Sequence, residues 1–367
     1  MKTNNEFIIL LYHGVTNHRS IGIENYSRKH LPVEDFQQQM MWLKSNTNII
    51  SMDDIVESYE YHHELPKNAV AITFDDGFKN NYTQAAPILD ELSIPATFYV
   101  SSGLMGQGEM FWVDMIEDCI NYSKSKQIKI LLDGDFRTFQ IVSFRQKIYA
   151  LQFIKKVCKL APHDKIEKVV SNVISETGIT PNIERTPNYA LMNWDQLAEM
   201  HRNPNFVIGG HSLKHEILSN LDQETTKNNI NESIEILNQK LNTKISHYSY
   251  PEGQGRQFDY HLINNLVSHG IKCCPSARYG KNSRDISLFN LYRVMVGFSG
   301  ISFPYEAIRD GKDLKILPDR SNDLPSLTSV SKHILLNLLR KPSSKLKNVF
   351  GNFIIRFRYK LKNLIKN

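Results

Sequence analysis

Ala69-Val70-Ala71-Ile72-Thr73-Phe74-Asp75-Asp76-Gly77 is the stretch on which the fold turns. Six residues without a charge read as a strand buried on both faces, the pattern of strands in parallel sheets. The run ends on two carboxylates and a glycine. A helix is expected next, over about 81–92, and then a second apolar strand, Ala96-Thr97-Phe98-Tyr99-Val100. Strand, helix, strand in this order calls for a parallel sheet or barrel. In such folds the chemistry gathers at the C-terminal ends of the strands. Asp75 and Asp76 stand at such an end.

The same rhythm extends outward. Residues 6–15 read as a strand ending at Tyr12-His13-Gly14, and 34–45 have helical spacing behind the first-turn acids Glu34 and Asp35. Residues 104–190 break the pattern. They hold an expected hairpin over 128–141, turning at Asp133-Gly134, and a helical stretch to about Thr177. This segment reads as a mainly helical insertion or cap. The rhythm resumes with a helix over 194–200, a strand over 206–210 and a helix over 223–241. Short strands follow at 246–250 and 270–274. Domain boundaries are expected at 1–315 for the main domain, 316–330 for a linker and 331–367 for a basic amphipathic tail.

Composition excludes some classes. Hydrophobic residues at 41% and charged residues at 22% suit a globular protein. Cys119, Cys158, Cys273 and Cys274 have neither zinc-site nor disulfide-framework spacing, and they read as reduced thiols. The run Phe7–Leu11 is too short for a signal-peptide core or a membrane span. The expectation is a cytoplasmic protein. The net charge of +6 belongs to the tail: no Asp or Glu follows Asp323, whereas ten Lys or Arg do. The rest of the chain holds 34 basic against 38 acidic residues. Apolar residues recur at helical spacing among those cations, from Ile334 to Ile365. A basic amphipathic helix of this kind suits the inner surface of a membrane; a poorly ordered tail, or a helix packed on the barrel, is the plainer reading. No nucleic-acid partner is expected, since the apolar face would be unexplained.

Two adjacent carboxylates at a strand end can divide labour, one binding a metal and one acting as base; an Asp-Gly turn that caps the next helix is the competing reading. His211-Ser212-Leu213-Lys214-His215 follows another apolar strand. Histidines at i and i+4 share one face of a helical turn and can grip one divalent ion. With a strand-end Asp they complete a set of two histidines and one carboxylate, which leaves positions open for water and substrate.

At these residues the chain resembles the polysaccharide deacetylases (carbohydrate esterase family 4, the NodB homology group). Thr73-Phe74-Asp75-Asp76-Gly77 is similar to the family's Thr-Phe-Asp-Asp-Gly motif, and His211-Ser212-Leu213-Lys214-His215 to its His-Ser/Thr-x-x-His motif. The resemblance covers roughly residues 6–300 and extends to Ile94–Tyr99 and Met192–Leu197. It implies an α/β fold, a distorted (β/α) barrel of about seven strands. It implies Asp75 as general base, Asp76, His211 and His215 as ligands of a divalent metal, with Zn²⁺ expected, and removal of acetyl groups from N-acetylated sugars. The substrate class is a polysaccharide or a lipid-linked glycan, as in surface polysaccharide biosynthesis. The rival functions are a glycan-binding or scaffold protein on the same fold, and a metal hydrolase of another amide or ester.

The chain departs from the family at its third motif, Arg-x-Pro-Tyr, where Ser249-Tyr250-Pro251-Glu252 stands. Tyr250, Pro251 and the Glu252 N–H are assigned to the oxyanion or substrate side. Arg293, in Leu291-Tyr292-Arg293-Val294, is the candidate replacement for the missing Arg. The family's late Leu-x-His motif is absent after motif three, but Leu11-Tyr12-His13 reads Leu-x-His at the start. This resembles the circularly permuted order of the poly-N-acetylglucosamine deacetylases and implies His13 as general acid.

Overall fold

A computed structural model describes residues 6–255, 257–297 and 303–310, which all fall within one compact unit, residues 1–318. The linker at 316–330 and the tail at 331–367 lie outside the described residues. Among the described residues no helix is long and apolar enough to cross a membrane.

In chain order the strands are β1 (Phe7–Tyr12), β2 (Gly14–Thr16), β3 (His30–Pro32), β4 (Asn48–Ile50), β5 (Ala69–Phe74), β6 (Ala96–Val100), β7 (Gln127–Leu132), β8 (Asp135–Gln140), β9 (Phe206–Gly210) and β10 (Val294–Met295). The helices are α1 (Val33–Asn46), α2 (Met52–Glu60), α3 (Ala86–Glu91), α4 (Trp112–Tyr122), α5 (Phe144–Cys158), α6 (His163–Thr177), α7 (Trp194–His201), α8 (Gln223–Leu241), α9 (Tyr260–Ser268) and α10 (Tyr305–Asp310).

The main sheet has six strands in the order β10-β1-β5-β6-β9, with β4 also on β5. Every pairing in it is parallel. All six residues of β5 are buried, as an uncharged central strand must be when helices cover both faces. Aromatic rings fill one side: Phe74 stacks between Tyr12 and Phe98, at 5.4 and 4.8 Å between centroids. The expected helix over 81–92 begins as a π-helical turn, Asn81–Ala85, and becomes α3 only where Pro87 enters its first turn.

The expected strands at 246–250 and 270–274 do not form. Single parallel bridges stand in their place, Gly210 to Tyr248 and His247 to Cys273. Pro251 and Pro275 follow immediately, and a proline lacks the N–H a ladder needs. Backbone hydrogen bonds continue from Cys274 to Leu288 (3.0 Å), Ser276 to Leu291 (2.9 Å) and Arg293 to Arg278 (2.8 Å), just before β10. Strand pairing therefore runs from β10 through β1, β5 and β6 to β9, and past the β9 edge the sheet continues only as isolated bridges and bonds.

The insertion builds a core of its own. Ile128, Ile130 and Leu132 point inward from β7 against Ile154 of α5 and Val173 of α6. The β7–β8 hairpin turns where expected, with Asp133 and Gly134 both at positive φ (51° and 85°), the backbone of a two-residue hairpin turn.

Candidate metal centre and active site

Parallel register brings the strand ends together. Tyr12 of β1 pairs with Phe74 of β5, and the Asp75 N–H donates to the Tyr12 carbonyl at 3.0 Å, so His13 and Asp75 leave adjacent strands at one level. β6 and β9 pair through Val100 and Gly210, which carries His211 to the same end. His13, Asp75, Asp76 and His211 thus leave the sheet on one rim although they are up to two hundred residues apart.

Asp76 has φ +79°, a conformation that costs a non-glycine residue about 1–3 kcal/mol. Gly77 follows at φ +88°, where an added Cβ would lie 3.0 Å from Val100 Cγ1. The strained turn aims Asp75 and Asp76 in different directions. Asp76 Oδ1 is buried without a hydrogen bond and faces His211 Nε2 at 3.6 Å and His215 Nε2 at 3.4 Å. Ligand atoms about 2.0–2.2 Å from one tetrahedral ion lie about 3.3–3.6 Å from each other. The three groups have that spacing, and they form a cluster suited to a metal ion. An orphaned buried carboxylate oxygen between two imidazoles also fits a divalent cation on the chemistry of its donors. Burial works to raise the Asp76 carboxyl, but His211 and His215 outweigh it and hold it far below the usual range.

His211 is fixed by the main domain. Its Nδ1 lies 2.9 Å from the Ser249 carbonyl, which can only accept, so Nδ1 carries a proton and Nε2 is the ring nitrogen turned to Asp76. The expected helical turn over 211–215 is not there: Ser212 and His215 adopt φ of +60° and +59° in a tight turn. The turn, rather than i,i+4 spacing, brings the two imidazoles to a ring separation of 5.0 Å. Ser212 anchors it, accepting from the Glu216 N–H at 2.9 Å and donating to the Glu216 carboxylate at 3.0 Å.

Asp75 has a different environment. Arg293 Nη1 and Nη2 donate to its two oxygens, each at 2.7 Å. Arg293 is fully buried, and its other bonds reach Ser276 O (2.7 Å), Thr73 Oγ1 (3.3 Å) and Ser249 Oγ (2.8 Å). All five guanidinium N–H groups are engaged. Burial works to raise the Asp75 carboxyl, but Arg293 and then His211 overcome it, so the group sits below its ordinary range as a carboxylate. Ser249 is small and lies between the two, donating to Asp75 at 3.4 Å. The side chain absent at position 249 is thus supplied from position 293 through space.

The remaining candidates sit around this pair. His13 is half-buried, and burial lowers its pKa against the pull of Asp76 and Asp75. The Tyr250 ring is buried, stacked on Phe258 at 4.4 Å and donating to the Phe289 carbonyl at 3.1 Å. Its side chain therefore serves the core. Pro251 and Glu252 form the next turn, with Glu252 at φ +61° and its carboxylate on Lys159 at 2.7 Å. Sequence reading had no signal for Lys159 or the buried Lys29–Asp114 pair at 2.7 Å. Each acts through a contact that spans the insertion or the sheet. A cleft of about 600 Å³ beside Thr16, Arg28, His30 and Glu34 adjoins the β1 end of this rim.

The polysaccharide deacetylase family pattern matches residues 62–128 and 168–274. Among curated proteins, a poly-beta-1,6-N-acetyl-D-glucosamine N-deacetylase of Staphylococcus aureus is 34% identical over 181 residues, 48% of this chain and 58% of that protein. The protein of the same name from Staphylococcus epidermidis is 26% identical over 54% of this chain and 64% of its own. The chain therefore spans under two thirds of these relatives. Among solved structures, the Streptococcus pyogenes deacetylase PplD in complex with acetate superposes with a TM-score of 0.55 at 16% identity, over 85% of this chain and all of that one. IcaB from Ammonifex degensii gives 0.50 at 16% identity, over 83% and 94%. At such identities the likeness speaks for the fold.

Proposed function

We propose, from the polysaccharide deacetylase pattern that matches residues 62–128 and 168–274, that this chain is a metal-dependent carbohydrate N-deacetylase of that family. Its proposed substrate is an N-acetylated surface glycan, of the class named for its staphylococcal relatives. The observation that carries the reading is the division of labour within one dipeptide. Asp75 is held ionised by a buried arginine, while its neighbour Asp76 faces two imidazoles.

Asp76, His211 and His215 would hold the divalent ion, for which Zn²⁺ is the proposed identity. Bound there, such an ion supplies polarisation of the acetyl carbonyl and acidification of water. Asp75 takes the proton from the attacking water. The Arg293 fork keeps that carboxylate ionised and aimed. The backbone N–H in the Glu252 turn is the proposed donor to the developing oxyanion. His13, at the end of the neighbouring strand, is the proposed proton donor to the leaving amine. The products are acetate and a free amino sugar.

The test is acetate release from N-acetylglucosamine oligomers by the purified chain with Zn²⁺. Activity is expected, with loss on chelation and in Asp75→Asn. No release from any such oligomer, or wild-type rates in Asp75→Asn, would sink the reading.

A further inference from the structure

The two candidate histidine ligands rest on different supports. His211 is held by the Ser249 carbonyl of the main domain. His215, besides facing Asp76 and the His211 ring, packs against the insertion. Its ring meets the edge of Phe111 at 5.4 Å, one residue before α4. It also borders a cavity of only about 20 Å³, lined by Trp112 of α4, by Ala161 of the α5–α6 junction, by Ile166 of α6, and by Leu221. That junction is tied down at one residue, Lys159, directly after α5. Its Nζ lies 2.7 Å from both carboxylate oxygens of Glu252, and its carbonyl accepts from Asn220 Nδ2 at 2.8 Å. Glu252 is presented by a left-handed pair, Glu252 and Gly253, at φ +61° and +54°. A Cβ at Gly253 would lie 2.7 Å from the Ala277 N, so this turn requires glycine there. The family pattern leaves residues 129–167 unmatched, and Lys159 lies among them.

We propose that the insertion is a working part of the metal centre: Lys159 grips Glu252, docks the α5–α6 junction against His215, and so positions that ligand. Lys159 and Glu252 are positioning residues. They act through His215 and do not touch the ion. The inference rests on the metal-site reading above but not on the identity of the glycan. Outer partners of metal ligands typically change metal affinity about 10–100-fold when removed.

The test is Zn²⁺ affinity of the full chain, by competition with a chromogenic chelator and without any glycan. Lys159→Ala and Glu252→Gln are each expected to weaken binding about 10–100-fold. The double variant should be no weaker than either, as expected of partners in one contact. Lys159→Arg should restore binding. Lys155→Ala serves as control: it breaks the Lys155–Glu117 pair at 3.1 Å inside the insertion, away from His215, and should leave affinity unchanged. Unchanged affinity in both Lys159→Ala and Glu252→Gln overturns the inference, as does an equal loss in Lys155→Ala. A wild-type chain that binds no Zn²⁺ overturns it together with the metal reading. Tight Zn²⁺ binding without acetate release sinks only the deacetylase.

Discussion

Replacing Arg293 by Met removes the guanidinium and keeps a long apolar stem. In the native protein Arg293 and Asp75 are both buried and joined by two 2.7 Å bonds. Breaking a buried pair from one side strands the other charge, at a cost of about 3–5 kcal/mol. The pH dependence follows from the sign of the shift. With Arg293 present, the folded Asp75 carboxyl lies below its unfolded value. That pairing stabilises the fold above about pH 4 and is lost as pH falls through the folded value. Without Arg293, burial is left as the main influence and pushes the carboxyl upward. The variant should then lose stability as pH rises above about 4, because the unfolded chain releases the proton more readily. The gap between wild type and variant is therefore widest near neutrality and closes at acid pH. Urea unfolding of the metal-free proteins across pH 3–8 measures this directly. The acid limb of the acetate-release profile should move upward in the same variant, since the base is protonated over a wider range. Arg293→Met combined with Asp75→Asn should recover much of the stability, because no buried charge is stranded. A loss under about 1 kcal/mol at neutral pH, the size of an exposed pair, together with an unmoved acid limb, would refute the argument.

Two further outcomes follow from the same rim. Gly77→Ala forces a Cβ to 3.0 Å from Val100 at φ +88°, a conformation costing an L-residue about 1–2 kcal/mol. Melting temperature and Zn²⁺ affinity should fall together, since the strained Asp76 precedes it. His13→Ala should lower acetate release by about 10²–10⁴-fold, with Zn²⁺ affinity kept near wild type because His13 stands outside the three-ligand cluster. A parallel loss of metal would show that His13 is a ligand instead.

Parallel strands were legible from composition because they are buried on both faces: β5 and β6 are uninterrupted uncharged runs, and their pairing in the sheet follows. Asp75, Asp76 and His211 were legible too, because they follow directly on such strands and register brings strand ends together; His215 was legible only through its spacing from His211. The weaker strands were not. The stretches at 246–250 and 270–274 have apolar residues, but Pro251 and Pro275 cut their ladders to single bridges. The helical turn expected over 211–215 was overridden by left-handed residues at Ser212 and His215, which spacing cannot reveal.

Local pattern by itself therefore determined the parallel α/β class and singled out the strand-end carboxylates and histidines, since both depend on which residues are adjacent in the chain; their division into base and ligand candidates came from the family resemblance. Tertiary structure decided what controls them: it joined Arg293, which the sequence offered only as a candidate, to Asp75, and it alone revealed Lys159. Arg293 reaches Asp75 across 218 positions, and Lys159 reaches Glu252 across 93. A charge is selected there by distance through a buried interior, where one guanidinium outweighs the cost of burial, and chain order carries no record of that distance.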